Sequence, residues 1–258
     1  MIESTVILSL LIVLLINGVA YLIAYYLQTD KLTDLTYSLT FITLAVFFMS
    51  RNIADTSILI ASLPIIWGIR LGGYLFYRIL LKGKDYRFDS TRRVWWRFGG
   101  FWMLQALSIW VISLPYVLAL DSGIHLELDG ILPITSMIGV IIFSIGFITE
   151  TIADNQKFRF KRQPENKDKF ISSGLYSIVR FPNYAGEILV WIGIFIACLP
   201  YLEGWALLSI VSPIWIIILL IKISGIPYLL TSQNERYGER ASYQQYLSKT
   251  KKLIPYLY

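Results

Sequence analysis

Cysteine and histidine are almost absent from this chain of 258 residues, which contains one of each, Cys198 and His125. A single cysteine excludes a disulfide framework and leaves no set of thiolates that could bind a metal. A single histidine likewise excludes a metal site built on histidines and leaves little for a Ser-His-Asp triad. We therefore expect no metal site, and any chemistry has to come from carboxylates, tyrosine, arginine, lysine or a bound cofactor.

Charged residues are also scarce, at 16% of the chain, whereas hydrophobic residues make up 56%. The apolar residues are grouped in long runs, which predicts an all-α integral membrane protein. About 20 apolar residues cross the hydrocarbon core of a bilayer. Seven segments meet this requirement: 5–27, 33–50, 57–80, 99–120, 132–153, 183–200 and 205–222. The N-terminal run has no basic residues before it and is too long for a cleavable signal peptide, so we interpret it as the first transmembrane helix.

The distribution of charge predicts the orientation of these helices. The connections after the third and fifth segments are rich in lysine and arginine, and so is the tail after the seventh. With seven crossings, these three basic regions lie on one side, which the positive-inside rule assigns to the cytoplasm. We therefore expect a single membrane domain, 1–258, with its N-terminus outside and its C-terminus in the cytoplasm.

The basic connections have two interpretations beyond topology alone. They can contact anionic membrane lipids, or they can form a binding surface for a polyanionic ligand from the cytosol. Nucleic acid is a poorer fit, because the charge lies in loops close to the membrane and not on a soluble face.

The stretch SIVRFPNYAGEILVW, residues 177–191, carries polar side chains into an apolar run. Pro182 suits the first turn of a helix, where the N–H group that proline lacks would have no partner. Asn183 and Glu187 are four residues apart and lie on one face of that helix, and Arg180 precedes it. Because the N–H groups of a helix N-terminus attract phosphate, this stretch predicts a pocket for a phosphorylated, hydrogen-bonding ligand.

The fifth segment ends in a similar pattern. Glu150 and Asp154 are four residues apart and share a helix face. Four bases follow them: Lys157, Arg159, Lys161 and Arg162. Each of these polar residues also has a structural interpretation as a helix cap, a solvated helix end or part of a buried ion pair. Their shared position on one side of the membrane favours a binding pocket.

The third segment carries Arg70 and Arg78, with Tyr74 and Tyr77 between them. Two arginines in a membrane helix need a partner or contact with water. Arg78 is close enough to the cytoplasmic end to reach the interface, whereas Arg70 is about three turns away from it. We therefore add these residues to the polar residues of the fifth and sixth segments, whose joint position favours a binding pocket.

The segment GLYSIVRFPNYAGEILVWIG, residues 174–193, resembles the signature of the steroid 5-alpha-reductase superfamily, which its bacterial branch writes roughly as GLW-x-x-SRHPNY-x-GE-x-x-x-W-x-G. The tail from SGIPYLL to KKLIPYLY and the third-segment stretch IRLGGYLFYRILLKGKDYRF resemble other parts of that branch, so the resemblance covers about residues 30–258. Characterised members are seven-helix membrane enzymes. The resemblance implies a reductase that uses NADPH to reduce a carbon–carbon double bond conjugated to a ketone in a steroid-like or other lipid.

The resemblance also implies roles for individual residues. Asn183 and Glu187 would contact the nicotinamide carboxamide or the nearby ribose, and Asp154 would bind a cofactor hydroxyl. Arg180 and the basic connections would hold the phosphates. The implied cofactor-binding residues are Glu150, Asp154, Arg159, Lys161, Lys169, Arg180, Asn183, Tyr184 and Glu187.

The front helices, 1–120, would form the substrate side and 130–258 the cofactor-binding half. For the acid group that polarises the ketone oxygen, the candidate is Tyr74, with Asp34 or Arg70 as its partner. The implied location is a bacterial inner membrane, with the cofactor site facing the cytoplasm.

Two positions depart from the pattern: Phe181 replaces the histidine of RHPNY, and Leu230 replaces the glutamate that follows G-x-P-x-L. These departures also fit a different substrate or a catalytically silent lipid-binding member. A second alternative is a membrane methyltransferase that uses S-adenosylmethionine, because isoprenylcysteine carboxyl and phospholipid methyltransferases share the RHP-x-Y-x-G helix start. Their last helix carries paired glutamates, EE-x-x-L, where this chain has SGIPYLLTSQNE.

Overall fold

The computed structural model describes residues 2–51, 53–82, 91–122 and 132–254. His125, residues 83–90 of the basic connection after the third helix and the last four residues of the tail lie outside these ranges. The described part contains the helices α1 (Ile2–Tyr26), α2 (Thr33–Arg51), α3 (Asp55–Lys82), α4 (Trp95–Asp121), α5 (Ile134–Arg162), α6 (Pro182–Cys198), α7 (Val211–Ile218), α8 (Ile226–Tyr237) and α9 (Ala241–Lys249). None of the described residues belongs to a β-strand, and one isolated bridge joins Val179 and Lys251.

Seven helices of the described chain are long and apolar enough to cross a membrane, which confirms the predicted number of segments and the all-α class. The fifth differs from its prediction, because α5 does not end at residue 153 but continues to Arg162. No glycine or proline occurs between these two positions, so nothing in the sequence stops the helix there. The bases at 157–162, predicted to lie in a connection, are therefore helical.

The seventh crossing, Gly204–Tyr237, is a composite of several helix types. A 3₁₀ helix over Gly204–Ile210 leads into α7, and a π-helix over Leu219–Ile223 precedes α8. Gly225 lies at the break, where a Cβ atom would be 2.7 Å from the carbonyl oxygen of Leu220. Pro227 then occupies the first turn of α8, where its missing N–H costs no hydrogen bond.

The chain divides into two compact units. The first consists of Met1–Gly139 and Ile194–Ser212, and the second of Val140–Gly193 and Pro213–Tyr258. In the first unit α2 and α3 approach closely at Gly72, where a Cβ atom would lie 2.8 Å from the Cβ of Ser38. Small residues permit this kind of contact between membrane helices.

Polar side chains inside the first unit are bonded to one another. The Gln105 amide donates to the Asn17 side-chain oxygen at 3.1 Å, which connects α4 to α1. Arg92 and Asp30 form an ion pair of 3.0 Å, with side chains only 12% and 2% exposed. These contacts are structural, because they satisfy polar groups that would be costly to bury alone.

Candidate functional site: a basic cleft in the second unit

The second unit is organised by a close crossing of α5 and α6. A Cβ atom on Gly186 would lie 2.6 Å from the backbone nitrogen of Glu150 and 2.7 Å from the carbonyl oxygen of Gly146. The two helix backbones therefore touch at this point, which only glycine allows. The crossing brings Glu150 on α5 beside the part of α6 that carries Asn183 and Glu187.

One face of α5 changes its charge along its length. Glu150, Asp154, Lys157 and Lys161 follow one another at spacings of four, three and four residues, so they form one stripe. Glu150 and Asp154 are buried, whereas Lys161 is exposed. Arg159 is exposed on the opposite side of the helix. The stripe thus has an acidic, buried part and a basic, accessible end.

The α6 helix begins at Pro182, as predicted, and the residues before it pair with the C-terminal tail. The backbone N–H of Arg180 donates to the carbonyl of Lys251 at 2.8 Å, and that of Phe181 donates to the carbonyl of Lys252 at 3.0 Å. Phe181 is 1% exposed and packs with Ile226 and Leu253. The position where the superfamily pattern has histidine is therefore an apolar core position in this chain.

The candidate site is a cleft in the second unit, which we call the basic cleft. Its cavity volume is about 80 Å³. Its polar and charged lining residues are Lys157, Lys161, Lys169, Arg180, Ser232, Gln233 and Arg236, and its apolar and aromatic ones are Phe170, Ile171, Tyr176, Leu229, Tyr237, Tyr243 and Tyr246. None of these described lining residues is an aspartate or a glutamate. Five cations around a space without a carboxylate form a site for an anion.

Arg180 is the cation at the base of α6 that faces this cleft. Its Nε atom is buried and makes no hydrogen bond. Burial raises the pKa of the nearby Tyr243 and raises that of Tyr246 to about 12, and the positive charge of Arg180 opposes this rise at both hydroxyl groups. Both tyrosines are therefore neutral hydrogen-bonding groups near pH 7.

Aromatic rings form one wall of the basic cleft. The Phe170 ring lies 5.7, 5.1 and 5.4 Å from the rings of Tyr237, Tyr243 and Tyr246. The Tyr237 hydroxyl donates to the carbonyl of Lys169 at 3.1 Å, which fixes the α5–α6 connection against α8. The wall thus combines apolar ring surface with neighbouring cations, as binding sites for nucleotide bases and phosphates do.

The predicted cofactor residues fall into two groups. Lys161, Lys169 and Arg180 line the basic cleft. Arg159 does not, and lies in a shallow depression with Gln156 and Gly174. The remaining predicted residues, Glu150, Asp154, Asn183, Tyr184 and Glu187, are on the α5 and α6 segments outside the lining of the cleft.

Several residues of the cleft were not among the predicted site residues. Lys157 was identifiable from its spacing of four residues with Lys161 on α5. Tyr237, Tyr243 and Tyr246 come from the tail, which the resemblance covers without assigning these tyrosines a role in the site. Their contribution depends on the tail folding back, which no local pattern predicts.

The predicted catalytic residues belong to the first unit. Asp34 lies 3.9 Å from Arg78, and the Arg78 guanidinium lies 5.6 Å from the centre of the Tyr74 ring. The structure therefore brings Tyr74 and Asp34 together through Arg78 at the ends of α2 and α3. Arg70 lies about two helical turns before Arg78 on α3 and is half-buried.

Comparison with known proteins gives a broad family and one short likeness. Probable O-methyltransferase ustE from Ustilaginoidea virens is 42% identical over 53 residues, which are 20% of this chain and 18% of that protein. The chain therefore matches less than a fifth of the relative's length. No solved structure matches this chain. A family described as "Protein of unknown function (DUF1295)", associated with membrane proteins like steroid 5-alpha-reductases and methyltransferases, matches residues 20–250. The chain belongs to the DUF1295 family.

Proposed function

We propose that this protein is a membrane oxidoreductase that uses NADPH to reduce a conjugated carbon–carbon double bond in a steroid-like or other lipid. The observation that carries the proposal is Arg180, whose Nε atom is buried without a hydrogen bond in a cleft lined by four further cations. A buried N–H group of a guanidinium needs a hydrogen-bond acceptor, and phosphate oxygens supply one. The proposed location is a bacterial inner membrane, with the basic cleft and the C-terminus on the cytoplasmic side.

The charges of the basic cleft favour a cofactor with several phosphates. NADPH carries a pyrophosphate and a third phosphate, which fits a cleft whose described lining contains five cations and no carboxylate. S-Adenosylmethionine has no phosphate and carries a positive sulfonium group, so the same cations would repel it. The aromatic wall of Phe170 and the tail tyrosines would contact the adenine ring.

The acidic part of the α5 stripe suits the uncharged end of the same ligand, which carries hydroxyl and carboxamide groups. Glu150 and Asp154 accept hydrogen bonds when ionised, as Glu187 on α6 does. We propose that these carboxylates bind ribose hydroxyl groups and the carboxamide of the cofactor, together with Asn183, whose side-chain oxygen is buried without a hydrogen bond. NADPH, when bound, supplies the hydride for the reduction.

The substrate side of the proposal rests on the first unit. A ketone oxygen that gains negative charge during reduction needs a hydrogen-bond donor, and the hydroxyl of Tyr74 can be that donor. Arg78, which lies over the Tyr74 ring and near Asp34, would orient that side chain. We propose Tyr74 as the donor, with Asp34 or Arg70 as its partner.

Methyl transfer is the second candidate, because the relative that matches over 53 residues is named a probable O-methyltransferase. In that case S-adenosylmethionine would be the cofactor. The basic cleft, which lacks a carboxylate among its described lining residues, favours the reductase.

Thermal unfolding of the detergent-purified protein separates the two candidates. A ligand that binds only the folded state raises the melting temperature, by an amount that grows with its concentration relative to Kd. We expect NADPH to raise it and S-adenosylmethionine to have no effect. A shift with S-adenosylmethionine and none with saturating NADPH would refute the reductase.

Three variants locate the site within the protein. Arg180→Ala should abolish most of the NADPH shift, whereas Arg159→Ala, which removes the same charge outside the basic cleft, should preserve it. Glu187→Gln should weaken NADPH binding while the ligand-free protein keeps its melting temperature. If Glu187→Gln instead only lowers the melting temperature without ligand, Glu187 has a structural role.

A further inference from the structure

We infer that the C-terminal segment, residues 243–253, positions Arg180 in the basic cleft, with Tyr246 and Leu253 as the positioning residues. This inference rests on the proposed function only in its choice of ligand. It assigns the C-terminal segment a role in ligand binding that the sequence of residues 174–193 does not indicate by itself.

The first observation is how the backbone before α6 is held. Residues 178–181 lie between a short 3₁₀ helix, Gly174–Ser177, and α6, so they have no helix of their own. The N–H groups of Arg180 and Phe181 donate to the carbonyls of Lys251 and Lys252. The tail therefore supplies the hydrogen bonds that set the path of the backbone at Arg180.

The second observation is a hydrogen bond on the other side of Arg180. The Tyr246 hydroxyl donates to the carbonyl of Tyr176 at 2.7 Å. The Tyr176 hydroxyl in turn donates to the carbonyl of Ala153 on α5 at 3.4 Å. Residues 176–181 are thus hydrogen-bonded to the C-terminal segment at both ends, at Tyr176 and at the pair Arg180 and Phe181.

The third observation is an apolar anchor. Leu253 is 7% exposed and forms a cluster with Phe181 and Ile226. The next residue, Ile254, is 51% exposed and contributes nothing to that cluster. Leu253 therefore packs the tail against Phe181, the residue that follows Arg180, and Ile254 provides a matched control.

A double-mutant cycle tests whether the tail acts through Arg180. In the full chain, Leu253→Ala should weaken NADPH binding about tenfold, the loss expected when a charged hydrogen bond is misplaced. Ile254→Ala should leave the affinity unchanged. In an Arg180→Ala background, Leu253→Ala should have little further effect, because residues that act through one another are not additive. Tyr246→Phe, which keeps the ring and removes the donor, should behave like Leu253→Ala.

The measurement is the Kd from titrations followed by intrinsic fluorescence, with the melting temperature of each ligand-free variant recorded beside it. Additive effects of Leu253→Ala and Arg180→Ala on the affinity would overturn the inference, since general destabilisation adds to the loss of Arg180. Leu253→Val replaces Leu253→Ala in the cycle if the alanine variant is not recovered folded.

A second probe, inorganic pyrophosphate, separates this inference from the proposed function. If pyrophosphate binds with the same non-additive pattern and NADPH does not bind, the positioning role stands and the reductase proposal fails. If NADPH binds and the cycle is additive, the reductase proposal stands and the positioning role fails. If neither probe binds, both are overturned.

Discussion

Replacing Gly186 with alanine places a methyl group into the crossing of α5 and α6. The added Cβ would lie 2.6 Å from the backbone nitrogen of Glu150 and 2.7 Å from the carbonyl oxygen of Gly146. Real Cβ atoms do not approach other atoms more closely than 3.0 Å. Both obstacles belong to the backbone of α5, so no side chain can rotate away, and the two helices have to separate.

Overpacking of this kind costs about 1–3 kcal/mol, and the rigid obstacles put Gly186→Ala at the upper end, about 3 kcal/mol. For a chain of this size we expect the melting temperature to fall by roughly 6–12 °C. Gly18→Ala is the matched control, because a Cβ atom at Gly18 meets nothing within 4 Å. That variant gains helix propensity, worth about 1 kcal/mol in an exposed helix.

Thermal unfolding in detergent, without and with NADPH, measures the loss of stability and the loss of NADPH binding. Separation of the helices also moves Glu150 away from Asn183 and Glu187, so we expect Gly186→Ala to lose part of the NADPH shift. Equal melting temperatures for Gly186→Ala and Gly18→Ala would show that the two helix backbones do not touch, and the reasoning would then be wrong.

Three other predictions follow from residues outside this crossing. Folding raises the pKa of Tyr246 from 10.0 to about 12, so its contribution to stability is complete below pH 10.0 and is lost as the pH approaches 12. In melting curves over this pH range, Tyr246→Phe should lose less stability than the unmodified protein. An equal loss would contradict the burial of the Tyr246 hydroxyl. Arg92→Gln removes the cation from the ion pair with the buried Asp30 and should cost about 3 kcal/mol, whereas Arg93→Gln, at an exposed position, should change the melting temperature little; similar effects would refute the burial of the pair. A reporter fused to the C-terminus should be active only on the cytoplasmic side, and activity on the outer side alone would reverse the proposed topology.

The membrane helices were predictable because the requirement for crossing a bilayer, a run of apolar residues, is a property of the local sequence. A segment of about 20 apolar residues has few alternatives in a chain with this composition, and the seven predicted segments match the seven helices. The end of α5 was not predictable from hydropathy, because six of the eight residues 155–162 are polar and all eight are still helical. Hydropathy marks where a helix leaves the apolar layer, whereas glycine, proline and capping residues mark where it ends.

The candidate site was predictable only in part, for a different reason. Pro182 fixed the start of α6, and the bases on α5 and in the α5–α6 connection indicated an anion site. The contribution of Tyr243 and Tyr246 depends on a contact between segments about 70 residues apart in the sequence, such as Tyr246 with Tyr176. Phe181 shows the same limit: as a departure from a motif it fitted a different substrate or a catalytically silent member, whereas its burial with Leu253 gives it a packing role.

The π-helix at Leu219–Ile223 lets the seventh crossing contain one extra residue without a change in the rotational phase of α8. A π turn accommodates one residue more than an α-helical turn does, and one residue corresponds to about 100° of rotation around the helix axis. Removing a single residue from this segment would therefore convert the π turn into an α turn and keep the face of α8 that bears Gln233, Arg236 and Tyr237 towards the basic cleft, whereas the same deletion within the α-helical α7 would turn that face by about 100°. The length of the seventh crossing is consequently under two separate constraints, the thickness of the membrane and the angle at which α8 presents its side chains.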